Sequence, residues 1–580
     1  MITEKPKLLG GVPNLEAQRS SDIEAPGVDC GSENRIDEPK QSRWKKAIST
    51  PTSSEENDHG APDQNLETWR ITVIMTGLSL SILLVALDTT IMATAIPRIT
   101  DEFNSLADIG WYGSAYQLTS CSLTLTFGKL FAFYSTKWVY LIVLAIFELG
   151  SLICAVAPNS TTLIIGRAVA GIGTSGVYAG CFLIIAQTIP LQRRPLVTSI
   201  IGSIYGVASV AGPLIGGALT DHSSWRWCFY INLPVGAVTA LFIVLLYKTP
   251  PQTRATSWRA VVAELDIPGT VSCLPSIICL LLALQWAGDK YAWDSGRIIA
   301  LFVVSACLLV IFAVIQWRQQ GRATIPPALI SNRDVWGPAL YAFSLSSSFT
   351  VFTYYLPIWF QSIKSATATQ SGLMNLPMLI ATTLTSIITG FLVGRIGYCN
   401  PFMLVAPVLG AVGAGLLTTF SIHSGPGEWI SYQALYGAGA GMGIQLPVTA
   451  VQAAIPAGDL PSATVIVIFF QMMGGAVFVS VAQAVFHNGL LENCRQKGEG
   501  LGVDCSRIAG LGLGEVRNGG SGGVLDVYNA AVTHAFYVGV AMICLAILGA
   551  LGVRWVSVKR GSTRTNRTTN RGRGSEEAGK

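Results

Sequence analysis

"GRAVAGIGTSGVYAG", residues 166–180, sets Gly171, Gly173 and Gly176 in the order G-x-G-x-x-G. In a dinucleotide-binding enzyme that pattern follows a strand, opens a helix, and is joined by an acidic residue about 20 positions later. Here no charged residue occurs from Ala168 to Gln192, and position 196 is Leu. The first charges downstream, Arg193 and Arg194, have the wrong sign. An apolar run of this length suits a membrane-spanning helix, which needs about 20 such residues. The glycines then read as places where another helix packs closely.

The rest of the chain agrees. Of 580 residues, 51% are hydrophobic and only 12% charged, with a mean hydropathy of +0.49. Soluble domains carry about 25% charge, so there are too few polar residues to cover a globular surface of this size. The 60 glycines fit helices packed backbone to backbone in lipid. The reading is an all-α, polytopic membrane protein.

Charge collects at the ends. Residues 1–70 are polar, with "SSEENDHGAPDQN" at 53–65, and read as a disordered tail. That tail has no apolar h-region, so no cleavable signal peptide is expected. The closing stretch "VKRGSTRTNRTTNRGRG" is basic, and reads as a solvated cytoplasmic end rather than a nucleic-acid-binding arm.

Between the tails lie fourteen candidate spans: 71–96, 107–133, 138–157, 162–188, 198–219, 227–247, 266–286, 297–317, 337–361, 371–393, 402–421, 430–453, 464–487 and 531–553. They divide the chain into a six-helix bundle at 71–247, a two-helix insertion with linkers at 248–335, and a second six-helix bundle at 336–555. A long loop at 488–530 falls inside the second bundle, and a basic tail at 556–580 closes the chain. Alternate short loops carry Lys137; Arg193 and Arg194; Lys248, Arg254 and Arg259; Arg318, Arg322 and Arg333; and Arg395. The opposite loops "PNSTT" and "IHSGPGEW" have no Lys or Arg. By the positive-inside rule both termini are cytoplasmic and loop 488–530 is external, although the inner loop "AIPAGDLPS" lacks a cation. "GKLFAFYSTKW" and "GFLVGRIGYCN" each put a glycine, Gly128 or Gly390, at a helix end before a cation-bearing turn. Such repeats relate the halves of many secondary transporters.

Catalytic and metal motifs are missing. There is no G-x-x-x-x-G-K-[ST], and the five histidines form no H-E-x-x-H. The 12 cysteines contain no C-x-x-C, and most lie in spans, where a small buried role is the default. Cys494 and Cys505 differ, being in the external loop, where a disulfide between them would persist. Neither an enzyme, a metal site nor a cofactor is indicated.

Ionisable groups within spans are few. Asp88 is the only charge in the first span, Glu148 the only one in the third, and Arg167 lies near one end of the fourth. Such groups are costly in lipid and mark pathways or coupling sites; the alternative is that the carboxyls tether helices by hydrogen bonds. Helix breakers supply a second theme. "GVASVAGPLIGG" gives Gly206, Gly212, Pro213, Gly216 and Gly217 in the fifth span, and "YGAGAGMGIQLP" clusters four glycines in the twelfth. Pro213 removes a backbone donor, and Gly212-xxx-Gly216 permits close helix approach.

Together these motifs resemble the major facilitator superfamily, in particular its fourteen-span drug:proton antiporters of fungi, which include toxin and secondary-metabolite efflux pumps. "LDTTIMATAIPRIT" at 87–100 resembles the first-span motif, with Asp88 at its acidic position. "LIIGRAVAGIGTSG" resembles the fourth-span motif, with Arg167 as its intramembrane arginine, and "GVASVAGPLIGGAL" resembles the fifth-span antiporter motif. "SSWRWCFYINLPVG" at 223–236 is similar to a stretch typical of the fourteen-span branch. One departure stands out. The loop after the second span keeps Gly128, Lys129 and Lys137 but has Ala132 where the family pattern is acidic.

The resemblance implies a monomeric carrier that exports small amphipathic organic molecules by proton antiport through alternating access. It also implies a multi-pass plasma-membrane location, with vacuolar or vesicle membranes as alternatives. Asp88, Glu148 and Arg167 are the expected proton-coupling residues. Gln117, Tyr354, Gln445 and Gln471 are candidate cavity groups, and Trp111, Tyr116 and Tyr355 candidate stacking partners. An uptake carrier for sugars or siderophores, or a non-transporting nutrient sensor, would share the architecture.

Overall fold

A computed structural model of the chain describes residues 64–103, 105, 108–248, 266–287, 291–456, 458–498 and 522–559. The expected tails, residues 499–521 and Cys505 lie largely or wholly outside them; the expected loop 488–530 is shorter than its sequence suggested, because its described ends, 488–498 and 522–530, are helical. The described residues are almost entirely helical, and their only β pairings are two isolated bridges.

The first bundle contains α1 (Gln64–Phe103), α2 (Ile109–Phe133), α3 (Thr136–Ala155), α4 (Ser160–Thr188) and α5 (Arg194–His222). Its last pass is broken into α6 (Trp227–Tyr230) and α7 (Asn232–Leu246). The inserted pair is α8 (Ile267–Trp286) and α9 (Gly296–Gln319), followed by the short α10 (Pro327–Ile330). The second bundle contains α11 (Arg333–Ile363), α12 (Ala368–Met374) with α13 (Leu376–Ile396), α14 (Asn400–Leu417), α15 (Pro426–Gly443) with α16 (Leu446–Ala454), α17 (Leu460–Gly498) and α18 (Gly522–Gly552). Helix therefore occupies each expected span range. Among the described residues eleven helical segments are long and apolar enough to cross a bilayer, against the fourteen spans expected. The expected spans at 107–133, 337–361 and 430–453, which form α2, α11 and the α15–α16 pair, are not among them; serines, threonines and glycines lower their hydropathy.

The two bundles repeat one packing scheme, and glycine makes it possible. In α4, a side chain at Gly171 would strike the Tyr116 carbonyl of α2, and one at Gly173 would strike the Phe147 backbone of α3. A Cβ at Gly176 would lie 2.5 Å from Val143 of α3. In α15, Gly437 and Gly441 abut carbonyls of α13, while Gly439 abuts the backbone of α14. So α4 rests on α2 and α3 as α15 rests on α13 and α14. The opening glycines are helix-packing residues. Likewise Gly212 and Gly216 of α5 take Thr90 and Thr94 of α1, as Gly474 and Gly475 of α17 take α11. Gly217 faces open space.

The halves meet toward the end that bears the cation-rich turns. A Cβ on Gly128 of α2 would lie 2.7 Å from Val465 of α17, and one on Gly390 of α13 would lie 2.6 Å from the Pro195 carbonyl of α5. These two glycines are the ones the sequence repeat singled out, and each seats a helix of the opposite bundle. Deeper in, Gly206 of α5 lies against Thr383 of α13, and Thr124 of α2 donates to Met472 Sδ of α17 at 3.5 Å.

The inserted pair is pinned at its base. Asp266 caps α8 through the Gly269 amide at 2.7 Å, and accepts from Gln316 Nε2 of α9 at 2.5 Å and from Thr324 N and Oγ1 at 3.0 and 2.9 Å. Lys129, beside Gly128, donates to the Arg322 carbonyl after α9 at 2.5 Å.

Candidate functional site

Asp88 and Arg167 meet inside the first bundle. Arg167 Nη1 lies 2.6 Å from Asp88 Oδ2, and the two side chains are 2% and 0% exposed. α4 places Arg167 one turn from the glycines that draw α2 and α3 close, so the guanidinium is enclosed on every side. Its Nε donates to the Tyr112 carbonyl at 2.9 Å, and its face covers the Tyr116 ring at 4.3 Å. Tyr116 in turn pairs with Thr174 at 2.7 Å. Tyr116 therefore serves as a platform for Arg167, and its covered face is closed to a stacking substrate. A buried pair of this kind tolerates the loss of neither partner, because each would strand the other's charge.

Asn232, the first residue of α7, reaches the same place. Its Nδ2 donates to Ser151 Oγ at 3.1 Å and approaches Asp88 Oδ1 at 3.5 Å. Sequence reasoning quoted this residue within "SSWRWCFYINLPVG" but gave it no role; an asparagine at the head of an apolar pass was the available clue. Glu148 of α3 lies nearby, with both carboxylate oxygens buried and without hydrogen-bond partners among the described residues.

The same stretch builds a second cluster at the opposite end from the cation-rich turns. Glu102 accepts from Trp225 Nε1 at 2.7 Å and pairs with Arg226 at 2.9 Å, while Arg226 also donates to the Ala157 carbonyl at 3.0 Å. Hydrogen bonds from Arg226 and then Trp225 hold the Glu102 carboxyl below its ordinary value. This ties the C-terminal end of α1 to the turns before α4 and α6.

The remaining expected residues are dispersed. Lys137 donates to the Val244 carbonyl at 2.6 Å, joining α3 to α7. Gln445 is buried at the break between α15 and α16, in the notch left by Gly202 of α5, so it bridges the bundles. Gln471 is buried on α17. Gln117 and Tyr354 are exposed, Tyr354 standing edge-on to the buried Tyr355. Trp111 packs edge-on to Trp286 of the inserted pair. Cys494 is buried near the end of α17 and is disulfide-bonded; Cys505, its expected partner, lies outside the described residues. A cavity of about 840 Å³ opens between α17 and α18, lined in part by Asn488, Glu492, Arg495, His534 and Tyr537, away from the Asp88 pair. Among the described residues no cluster of His, Cys, Asp and Glu could hold a metal.

Two helical bundles of matching internal packing, closed on each other at one end and holding a sealed ion pair in one of them, define a membrane carrier. The chain matches the Major Facilitator Superfamily over residues 78–479 and belongs to that family. It is a multi-pass membrane transporter of small molecules. It is 54% identical to the MFS-type transporter astH of Aspergillus oryzae, over 88% of this chain and 91% of that one. It is 48% identical to the efflux pump roqT of Penicillium rubens, over 89% and 98%. With the MFS-type efflux pump MFS1 of Trichophyton rubrum it shares 51% identity over 84% and 92%. Among solved structures, the human organic anion transporter MFSD10 has the same fold, at TM-score 0.54 and 14% identity over 84% of this chain and 100% of that one. A double-tryptophan mutant of XylE also matches, at TM-score 0.57 and 13% identity over 84% and 97%.

Proposed function

We propose that this transporter exports small amphipathic organic molecules, secondary metabolites or toxins among them, in exchange for protons entering the cell. The observation that carries coupling is the buried Asp88–Arg167 pair, an ion pair sealed between helices that alternating access would rearrange. The direction rests on the relatives of similar length named as efflux pumps. On this reading there are fourteen passes, both termini are cytoplasmic, and the cation-rich end where the bundles meet is the inner one. The described conformation is then closed to the cytoplasm, the state in which an exporter releases cargo and takes up a proton. The protein works as a monomer in the plasma membrane, with no cofactor beyond the proton gradient.

Small molecules in cells and medium, compared by untargeted mass spectrometry with and without the gene, test the direction. Loss of the gene should move a set of organic compounds from medium to cell interior. Nutrient starvation without such retention would show an uptake carrier instead.

A further inference from the structure

The inserted helix α8 packs on both bundles at once, against α2 of the first and α17 of the second. Its Cys273, Ile277 and Leu281 share one buried apolar cluster with Leu125 of α2 and Val465 of α17. Along α2 the insertion is held at both ends. Trp286 stands edge-on to Trp111 with ring centroids 6.1 Å apart, and at the other end Lys129 donates to the Arg322 carbonyl at 2.5 Å. The pair itself is braced. Midway along it, the Ser276 and Ser305 hydroxyls each donate to the other residue's carbonyl at 2.8 Å. At the base Asp266 holds Gln316 and Thr324, and Gln316 Oε1 accepts from the Ile325 amide at 2.8 Å. Gln320, at the exit of α9, has a φ of +43°, a conformation that side chains disfavour. After that reversal the Arg322 carbonyl meets Lys129 while Thr324 returns to Asp266.

Lys129 and Arg322 lie on opposite sides of a joint. Lys129 follows Gly128, which seats Val465 of the opposite bundle. From Arg322 the chain runs through α10 into α11, whose first turn is fastened within the second bundle. There Arg333 Nε donates to the Gly552 carbonyl at 3.1 Å, and Asp334 pairs with Arg554 at 3.3 Å. When Gly128 parts from Val465, α8 can follow α2 or α17 but not both. We infer that the inserted pair is a strut for the end at which the bundles close. Lys129 of the first bundle hooks the turn at 320–325, that turn leads into the second bundle, and the hook stabilises the closed conformation. Lys129 is thus a positioning residue for the transport cycle. The inference takes from the proposed function only alternating access, which supplies an opened state; neither the proton nor the direction of transport enters.

Hydrogen-exchange mass spectrometry of the purified full chain in lipid tests this without cargo or gradient. Lys129→Met keeps the apolar stem and removes the donor. It should speed exchange about tenfold at 194–200 and 388–396, as expected from losing one hydrogen bond to a charged group. Those segments form the α5–α13 seam, built from other helices, so the change there reports the whole joint. Asp266→Asn, which loosens the base that aims the turn, should act in the same direction, and the double variant should exceed neither single one. Arg322→Ala keeps the carbonyl and removes only an exposed side chain, so it should match wild type. Faster exchange confined to 126–133 and 316–325 would make Lys129 a local anchor and overturn the strut. Additive effects of Lys129→Met and Asp266→Asn would overturn the single hook, and an Arg322→Ala effect equal to that of Lys129→Met would overturn the carbonyl as its acceptor. If Lys129→Met does not fold, Asp266→Asn carries the same prediction, and unchanged exchange in it refutes the strut. A failure of proton-driven export counts against antiport alone.

Discussion

Gly390→Ala tests how the bundles close on each other. An added Cβ would lie 2.6 Å from the Pro195 carbonyl, 2.6 Å from Ser199 Oγ and 2.9 Å from Leu196 Cα. Two of these are backbone atoms of α5, so no side-chain rotation relieves the clash, and α13 must move away from α5. Overpacking of this kind costs roughly 1–3 kcal/mol. Falling on the conformation closed at the cation-rich end, it shifts the balance toward the opened one by about 5- to 150-fold. Gly128→Ala should do less, because its three nearest neighbours, at 2.7 to 3.2 Å, are all side-chain atoms of Val465 rather than backbone. Gly415→Ala, with nothing within 4 Å, is the control. Hydrogen-exchange mass spectrometry in lipid reads the outcome as faster exchange at 194–200 and 388–396, in the order Gly390, Gly128, Gly415. Unchanged exchange in Gly390→Ala, at unchanged melting temperature, would refute the closure derived from these contacts.

Gly173→Val should abolish folded protein in the membrane, since its side chain would occupy the Phe147 backbone of α3; normal yield by size-exclusion chromatography would contradict the packing. The Glu102–Arg226 bond should add no more than ~1 kcal/mol, because both groups are partly solvated. As the folded Glu102 carboxyl titrates below its ordinary 4.5, that contribution is present above pH 4.5 and lost as pH falls through the lower folded value. Melting curves should therefore drop more steeply below about pH 4.5 in wild type than in Glu102→Gln, and parallel curves would remove the bond from the account. Arg167→Gln should destabilise by about 3–5 kcal/mol or less, with Asp88→Asn added to it restoring part of the loss; additive losses in thermal melts would show that the pair is not coupled. Non-reducing peptide mapping should find Cys494 linked to Cys505, and free thiols at both positions would be incompatible with an external loop.

Much of this was legible in the sequence because lipid imposes long uniform helices. The run from Ala168 to Gln192 announces α4 through its lack of charge, and the same lack makes Asp88 and Arg167 conspicuous. Their pairing was less visible, since a separation of 79 positions says nothing of contact. The repeat at Gly128 and Gly390 could be seen, but not that each glycine seats a helix of the opposite bundle. The cavity candidates were least readable. Gln117, Tyr354, Gln445 and Gln471 have similar polarity, and only packing separates the exposed pair from the buried one. Tyr116 suited a substrate platform by type, yet the cation beside it claims the ring. Asn232 escaped notice because an asparagine at a helix start ordinarily signals capping.

Everted membrane vesicles carrying the protein, supplied with a small-molecule extract of the cells that retain cargo when the gene is lost, put proton-driven export to its most direct test. With the vesicle interior made acidic, the retained compounds should accumulate inside, and dissipating the gradient with a protonophore should release them. Equal accumulation with and without the gradient would contradict proton antiport.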